Sequence, residues 1–333
     1  MEKVEYGIKH YFLKNQVIAA LLLVLAGWFL IQIKGILILF FISYILMVAL
    51  VPYVKYMTAH KIPRPIAAGI VYVAALLIVV LLIVPLIPFF STQIQSLIHS
   101  FPQYLDEILK ILGIQIGQSQ VQSFVISQLN AIGSSAFAVT GAILGTVFST
   151  FLVFVISFYL MLDYERLKRE ITYFFPKSQK EKVIDIIHQV EYKLGAWFRG
   201  QLVLCFSIGL CTWVALAFIN FPFALPLALL AGMLEIVPTI GPILSAIPAV
   251  IVALSISPGL AAIIVLVYIT IQMLENNILV PKIMQRAVGL NPILVILAIS
   301  IGATMLGILG ALLSVPFTTL LIIVIKNIRG EEN

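Results

Sequence analysis

Between residues 200 and 325 the chain carries only four charged side chains: Glu235, Glu275, Lys282 and Arg286. A soluble domain averages about 25% charged residues and needs them to cover its surface. Over all 333 residues the charged share is 10%, the hydrophobic share 62% and the mean hydropathy +1.14. The solvent for such a chain is the bilayer. Composition therefore excludes an ordinary cytosolic enzyme, a nucleic-acid binder and a disordered protein.

A helix needs about 20 apolar residues to cross the roughly 30 Å hydrocarbon core. Six stretches qualify as full spans: 16–33, 36–57, 66–90, 136–162, 197–219 and 259–281. The first two are joined around Lys34 and Gly35 so closely that a hairpin is expected there. Two further apolar stretches, 223–254 and 291–325, exceed one span and are interrupted internally. No small-residue cleavage site follows the first fifteen residues, so no removable signal peptide is expected.

Lys and Arg placement chooses a topology for the interrupted stretches. With a cytoplasmic amino terminus, full crossings at both would put Lys282 and Arg286 outside. If both stretches instead dip in and return, 18 of the 20 basic residues lie inside, the exceptions being Lys34 and Lys110. The arms 223–236 and 243–254 reach about 21 Å and about 18 Å at 1.5 Å per residue, too short to cross alone. The breaks fall at Pro238, Gly241 and Pro242 in the first stretch and at Gly307 and Gly310 in the second. Pro222 to Gly232 and Pro292 to Gly302 share a spacing of ten. Hairpins entering from opposite faces are the arrangement of an inverted repeat, whose broken helices meet around a substrate site.

The expected fold is thus an all-α polytopic membrane protein with about six transmembrane helices and two re-entrant helical hairpins. Its segments are 1–90 with the first three spans, 91–135, 136–162, 163–196, and a transport core over 197–333. Residues 91–135 are rich in Gln and Ser, and their apolar residues recur at helical steps, as in amphipathic helices on the outer surface. Residues 163–199 interleave eight basic and six acidic residues, which reads as two cytoplasmic helices broken at Phe175-Pro176, with Asp163 as a cap and headgroup attraction as an addition. Both ends of the chain are expected in the cytoplasm.

Candidate site residues follow from the cost of a charge in hydrocarbon, at least about 2.5–3.5 kcal/mol. Glu235 sits three residues before Pro238. Glu275 opens Glu275-Asn276-Asn277, with Gln272 one turn earlier. Carboxylates beside unwound backbone suit a cation or a proton, and the amides suit a polar solute. A carboxylate removed from water takes up a proton more readily, so proton binding would accompany transport. Two blander readings stand beside these: Glu275 as a polar packing clamp, and Glu235 at a hairpin tip that reaches water. Arg199, Gln201 and Lys282 are expected at a cytoplasmic gate or anchor, Arg199 snorkelling to lipid phosphate. Cys205 and Cys211 read as core thiols. The dispersed histidines form no metal site, and no nucleotide loop, zinc-protease motif or nucleophile elbow occurs. Neither a cofactor, ATP nor an enzymatic activity is expected.

The ordered pieces Asp163-Tyr164-Glu165, Phe175-Pro176, Arg199-Gly200-Gln201, Ala231 through Pro242 and Gln272 through Lys282, with the closing glycine hairpin, resemble the autoinducer-2 exporter family of bacterial inner-membrane proteins. One departure is Leu290-Asn291-Pro292, where the family often has Leu-His-Pro. The resemblance implies export of a small polar signal or metabolite, or in some members sodium–proton exchange. It also implies a homo-oligomer, with a pentamer among its forms, whose transport parts slide against a static scaffold. The expected function is secondary active export coupled to a proton or sodium gradient, with H+ or Na+ and membrane lipids as partners. The alternatives are a sodium–proton antiporter and a non-transporting scaffold or receptor.

Overall fold

The computed structural model describes residues 16–81, 136–238, 240–284 and 291–329; the proposed outer segment 91–135 and Arg286 lie outside them. Among the described residues all regular structure is helical. In chain order the helices are α1 (Gln16–Gln32), α2 (Lys34–Ala59), α3 (Arg64–Leu81), α4 (Ala136–Leu162), α5 (Tyr164–Tyr173), α6 (Lys180–Phe218), α7 (Ala224–Leu234), α8 (Ile240–Ile256), α9 (Pro258–Leu274), α10 (Val280–Met284) and α11 (Pro292–Arg329). Five of these helical runs are long and apolar enough to cross a membrane, and a sixth is α4 if its bent junction with α5 is counted.

The expected hairpin between the first two spans is not formed. A single residue, Ile33, separates α1 from α2, and its backbone (φ −94°, ψ 6°) stays close to helical. Hydrogen bonds pass through it from Ile33 N–H to Phe29 O and from Leu37 N–H to Ile33 O, both 3.1 Å. A fold-back between helices takes a loop of about 2–5 residues, and Lys34-Gly35 sit inside the helix instead.

A first apolar core joins α2, α3, α4, the front half of α6 and α11. Met47, Ala67, Ala68, Met161, Leu194 and Trp197 are almost fully buried in it. Tyr72 of α3 and Ser157 of α4 share a hydrogen bond of 2.5 Å between buried hydroxyls, an interhelical polar contact of the sort that holds helices together in lipid. Pro52 inside α2 cannot donate to the chain one turn back, which loosens the carbonyls of that turn. The carbonyl left without its helical donor is that of Val48, and Arg199 donates from Nη1 to the next one along, Ala49, at 3.1 Å. The expected lipid-snorkelling Arg199 is therefore a tie between α6 and α2.

Outside the apolar layer, α5 leaves α4 at an angle of 73°. Asp163 occupies the cap position, but its side chain makes no capping hydrogen bond. The break at Pro176 is present, with φ −54° and ψ 149°. Beyond it the second amphipathic helix and the fifth span are one helix, α6, of 39 residues and about 58 Å. Glu191 on α6 accepts from the Tyr164 hydroxyl at 2.7 Å and pairs with Lys168 at 3.0 Å, fastening α5 to α6. Burial, and then the Glu191 carboxylate, hold the Tyr164 phenol above the ordinary tyrosine range.

Helices α7 and α8 form a helical hairpin. Its open end packs on one side, where Leu227, Ala249, Val252 and Ala253 share a buried cluster with Leu216 at the end of α6 and Ala261 and Ile264 at the start of α9. Helix α11 is a second hairpin folded at Gly307, whose φ of 63° and ψ of −142° belong to a region that side chains beyond glycine scarcely enter. Its arms touch so closely that a Cβ on Gly302 would meet the Gly310 carbonyl, and the reverse. The far end of α11 bonds to the front of α6, from Asn327 Nδ2 to Gln189 Oε1 at 3.3 Å. The open ends of the two hairpins thus lie toward opposite ends of α6.

Two consequences can be measured. In a background with Cys205 and Cys211 changed to alanine, cysteines at Asn220 and Gly259 should react with a membrane-impermeant maleimide from the same side of the bilayer; reaction from opposite sides would contradict the first hairpin. Gly307→Ala should cost about 1–3 kcal/mol through its disallowed backbone angles, read as a lowered thermal midpoint in detergent.

Candidate functional site

The first hairpin can sit deep in the protein because two glycines let its leading arm approach α6. A Cβ on Gly232 would lie 2.7 Å from the Cys205 carbonyl oxygen and 3.2 Å from the Gly209 Cα. Small residues at such a crossing are the usual device for close helix packing in lipid. The crossing sets the end of α7 against the side of α6, and there the helix stops at Glu235.

Glu235 is 0% exposed. Its backbone carbonyl, orphaned by the end of α7, accepts a hydrogen bond of 2.6 Å from the Gln201 amide of α6. The break continues through Ile236, Val237 and Pro238, and α8 resumes at Ile240. Gly241 and Pro242, expected in the break, form the first turn of α8. Backbone bonds from Val237 N–H to Leu234 O and from Gly241 N–H to Val237 O, both 3.0 Å, keep the tip satisfied internally. Val237 joins the first core, which also holds Ile299, Ala311 and Leu313 of the second hairpin.

The other acid arrives from α9. After Leu274 the helix widens into a π turn, Glu275–Leu279, a local rewinding often found at functional sites. Glu275 faces inward at 2% exposure and accepts from Gln272 Nε2 at 3.0 Å. The same turn carries Asn276 and Asn277 outward: both are exposed, and Asn277 donates to the Met273 carbonyl at 2.8 Å. Lys282 is also exposed. Of the expected residues, then, Glu235, Glu275, Gln272 and Gln201 come together, while Asn276, Asn277, Lys282 and Arg199 point elsewhere.

The carboxyl groups of Glu235 and Glu275 are close enough to interact directly. Neither forms a salt bridge among the described residues, whose ion pairs lie at Arg64, Arg166, Lys168 and His188. Both Glu235 carboxylate oxygens are buried without a hydrogen-bond partner, as is the Gln201 side-chain oxygen. Two more buried orphans, the hydroxyls of Thr212 on α6 and Tyr268 on α9, complete the set among the described residues. All five atoms belong to α6, the first hairpin's tip and α9. Buried polar atoms ordinarily find partners, and the exceptions at Glu235 and Gln201 mark a place suited to an ion, a proton or a polar solute. A buried acid pair with no basic partner also carries uncompensated charge unless a proton or cation joins it.

Thr212 and Tyr268 were not among the expected site residues. Their signal was faint: Thr212 stands eleven residues after Gln201 and Tyr268 seven before Glu275, each returning to about the same helical face. A lone hydroxyl in an apolar helix is otherwise unremarkable, since it can bond to its own backbone.

Comparison with known proteins places this geometry in context. A family model described as "AI-2E family transporter" matches residues 18–330. The chain is similar to "Putative transport protein YrrI" of Bacillus subtilis (strain 168), 32% identical over 49% of this chain and 46% of that protein. It is 26% identical to "Putative transport protein YueF" of the same organism over 77% of this chain and 74% of that one. With "AI-2 transport protein TqsA" of Escherichia coli (strain K12) it shares 25% identity over 88% and 86%. These relatives bear the names of transport proteins, not of enzymes.

The Gln201 tie can be tested by itself. Gln201→Leu leaves the Glu235 carbonyl buried without its donor and should destabilise the fold by about 1–2 kcal/mol, read as an earlier thermal transition in detergent. An unchanged transition would show that another donor serves this carbonyl.

Proposed function

The chain belongs to the AI-2E transporter family, and from that premise we propose that it is a secondary active exporter of a small polar solute, driven by a proton or sodium gradient across a bacterial inner membrane. The observation that carries this reading is the acid pair: Glu235, fully buried with both carboxylate oxygens unpartnered, beside Glu275 and with no basic side chain among the described residues to neutralise either. In this reading the pair binds the coupling ion, Gln272 holds the Glu275 carboxylate in its rotamer, and Gln201 holds the hairpin tip. The orphan hydroxyls of Thr212 and Tyr268 line the way from the pair toward the open end of the first hairpin. Residues 197–333 act as the transport core, and α2, α3 and α4 act as its support.

Both hairpins are re-entrant in this proposal, the first opening outward and the second to the cytoplasm. That orientation puts the turn after α2 and the charged helices of 163–199 inside, in line with the excess of Lys and Arg there. The similarity to a relative named for AI-2 transport supports a polar organic solute as cargo. A sodium–proton antiporter would use the same two acids. The exposed apolar faces of α1 and α3 support contact with lipid or with further copies of the chain.

Purified protein in liposomes, with imposed sodium or proton gradients and a panel of small polar solutes, tests the proposal. Glu275→Gln and Glu235→Gln should each abolish gradient-driven flux while leaving expression and thermal stability intact, since a neutral amide fills the same space. Normal flux by either variant would remove that acid from the mechanism.

A further inference from the structure

Away from the acid pair, the turn between α2 and α3 borders a cavity of about 330 Å³, near the lower end of the roughly 300–1,000 Å³ usual for ligand sites. Val51, Val54, Lys55 and Thr58 line it from the last turns of α2, Arg64 from the start of α3, and Glu165 from α5. Apolar side chains and two cations therefore share one concavity.

The charges there are not mutually satisfied. Arg64 is held by its Nη2, which donates to the Met161 carbonyl at 3.3 Å, and by its guanidinium, which lies 5.2 Å from the centre of the Tyr164 ring. Its Nη1 is 3.8 Å from Glu165 Oε1, too far for a hydrogen bond. The Lys55 ammonium enters no ion pair among the described residues. Thr58 spends its hydroxyl proton on the Lys55 carbonyl at 2.9 Å. Two cations thus oppose one carboxylate, which is itself 64% exposed. The guanidinium is positioned in advance by a carbonyl and a ring, and it keeps a free edge of N–H donors, the geometry that suits a phosphate.

Depth in the membrane selects the source of that phosphate. The cavity lies at the bend where apolar α4 gives way to charged α5. Tyr53, Tyr56 and Tyr159, all exposed, surround this level in sequence, as tyrosines do at the headgroup boundary. A soluble anion has no use for an apolar wall, whereas a lipid has.

We propose that this cavity binds the phosphate of an anionic phospholipid. Lys55 and Arg64 take the phosphate oxygens, and Val51 and Val54 lie against the glycerol and the first acyl carbons. The site fastens the α2–α3 turn to the α4–α5 bend, and it does not depend on the transport reading.

Native mass spectrometry of the full chain in neutral detergent, with phosphatidylglycerol, phosphatidylcholine or inorganic phosphate added, tests the proposal. Phosphatidylglycerol should add one tight, saturable equivalent per chain, and phosphatidylcholine should bind more weakly. Lys55→Gln, at an exposed position, should weaken that equivalent by about fivefold, the scale of one solvent-facing charge pair. Glu165→Gln removes the competing carboxylate and should tighten it. Equal binding by the wild type and both variants would overturn the site. Inorganic phosphate binding as tightly as the lipid, with the same dependence on Lys55, would overturn the lipid assignment and leave a free-phosphate site.

Discussion

A break in a helix inside a bilayer exposes backbone groups that no lipid can bond, so the break must be buried in protein or face water. The apolar helices of this chain have two breaks, and its packing is arranged around them. The first is buried at Glu235 by the crossing of α7 on α6, where Gly209 and Gly232 allow backbones to touch, and by the Gln201 amide, which takes the carbonyl that α7 leaves free. The second is closed by direct contact between Gly302 and Gly310 around the turn at Gly307. Long α6 serves both, because the hairpins meet it from opposite ends.

The same constraint explains why the acids are where they are. A helix end and a π turn are places where the backbone itself departs from the regular ladder, so side chains there can be aimed independently of the apolar faces around them. Glu235 caps one and Glu275 opens the other. Their burial without a basic partner among the described residues would be costly in a protein with no use for it. That cost gives the pair its interest as an ion site, whereas the buried Lys168–Glu191 pair, with Tyr164 bonded to both members, is compensated and needs only a structural role.

Much of the fold was legible because membrane helices announce themselves by length and charge. The all-helical fold with several apolar spans, the break at Pro176 and the inward acids all follow from apolar runs punctuated by Pro, Gly and Glu. Where expectation failed, the reason was local. Lys34-Gly35 looked like a turn by composition, but a glycine inside a helix costs only about 1 kcal/mol, and the backbone bonds through Ile33 carry α1 on into α2. Arg199 looked like a lipid anchor because its partner, the Ala49 carbonyl, is 150 residues away in the chain.

Sequence alone determined that the chain lives in a membrane, that two of its apolar stretches are folded back on themselves, and that Glu235 and Glu275 stand out against the cost of burying charge. These are properties of single segments, set by hydropathy and by the few residues that end a helix. Tertiary structure decided which side chains share a space. It brought Gln201 to Glu235, turned Asn276 and Asn277 away from Glu275 through the π turn, and left Thr212 and Tyr268 without partners inside the bundle. Those outcomes depend on helix rotation and crossing distance, which are fixed by packing between segments far apart in the chain and leave no periodic trace within any one of them.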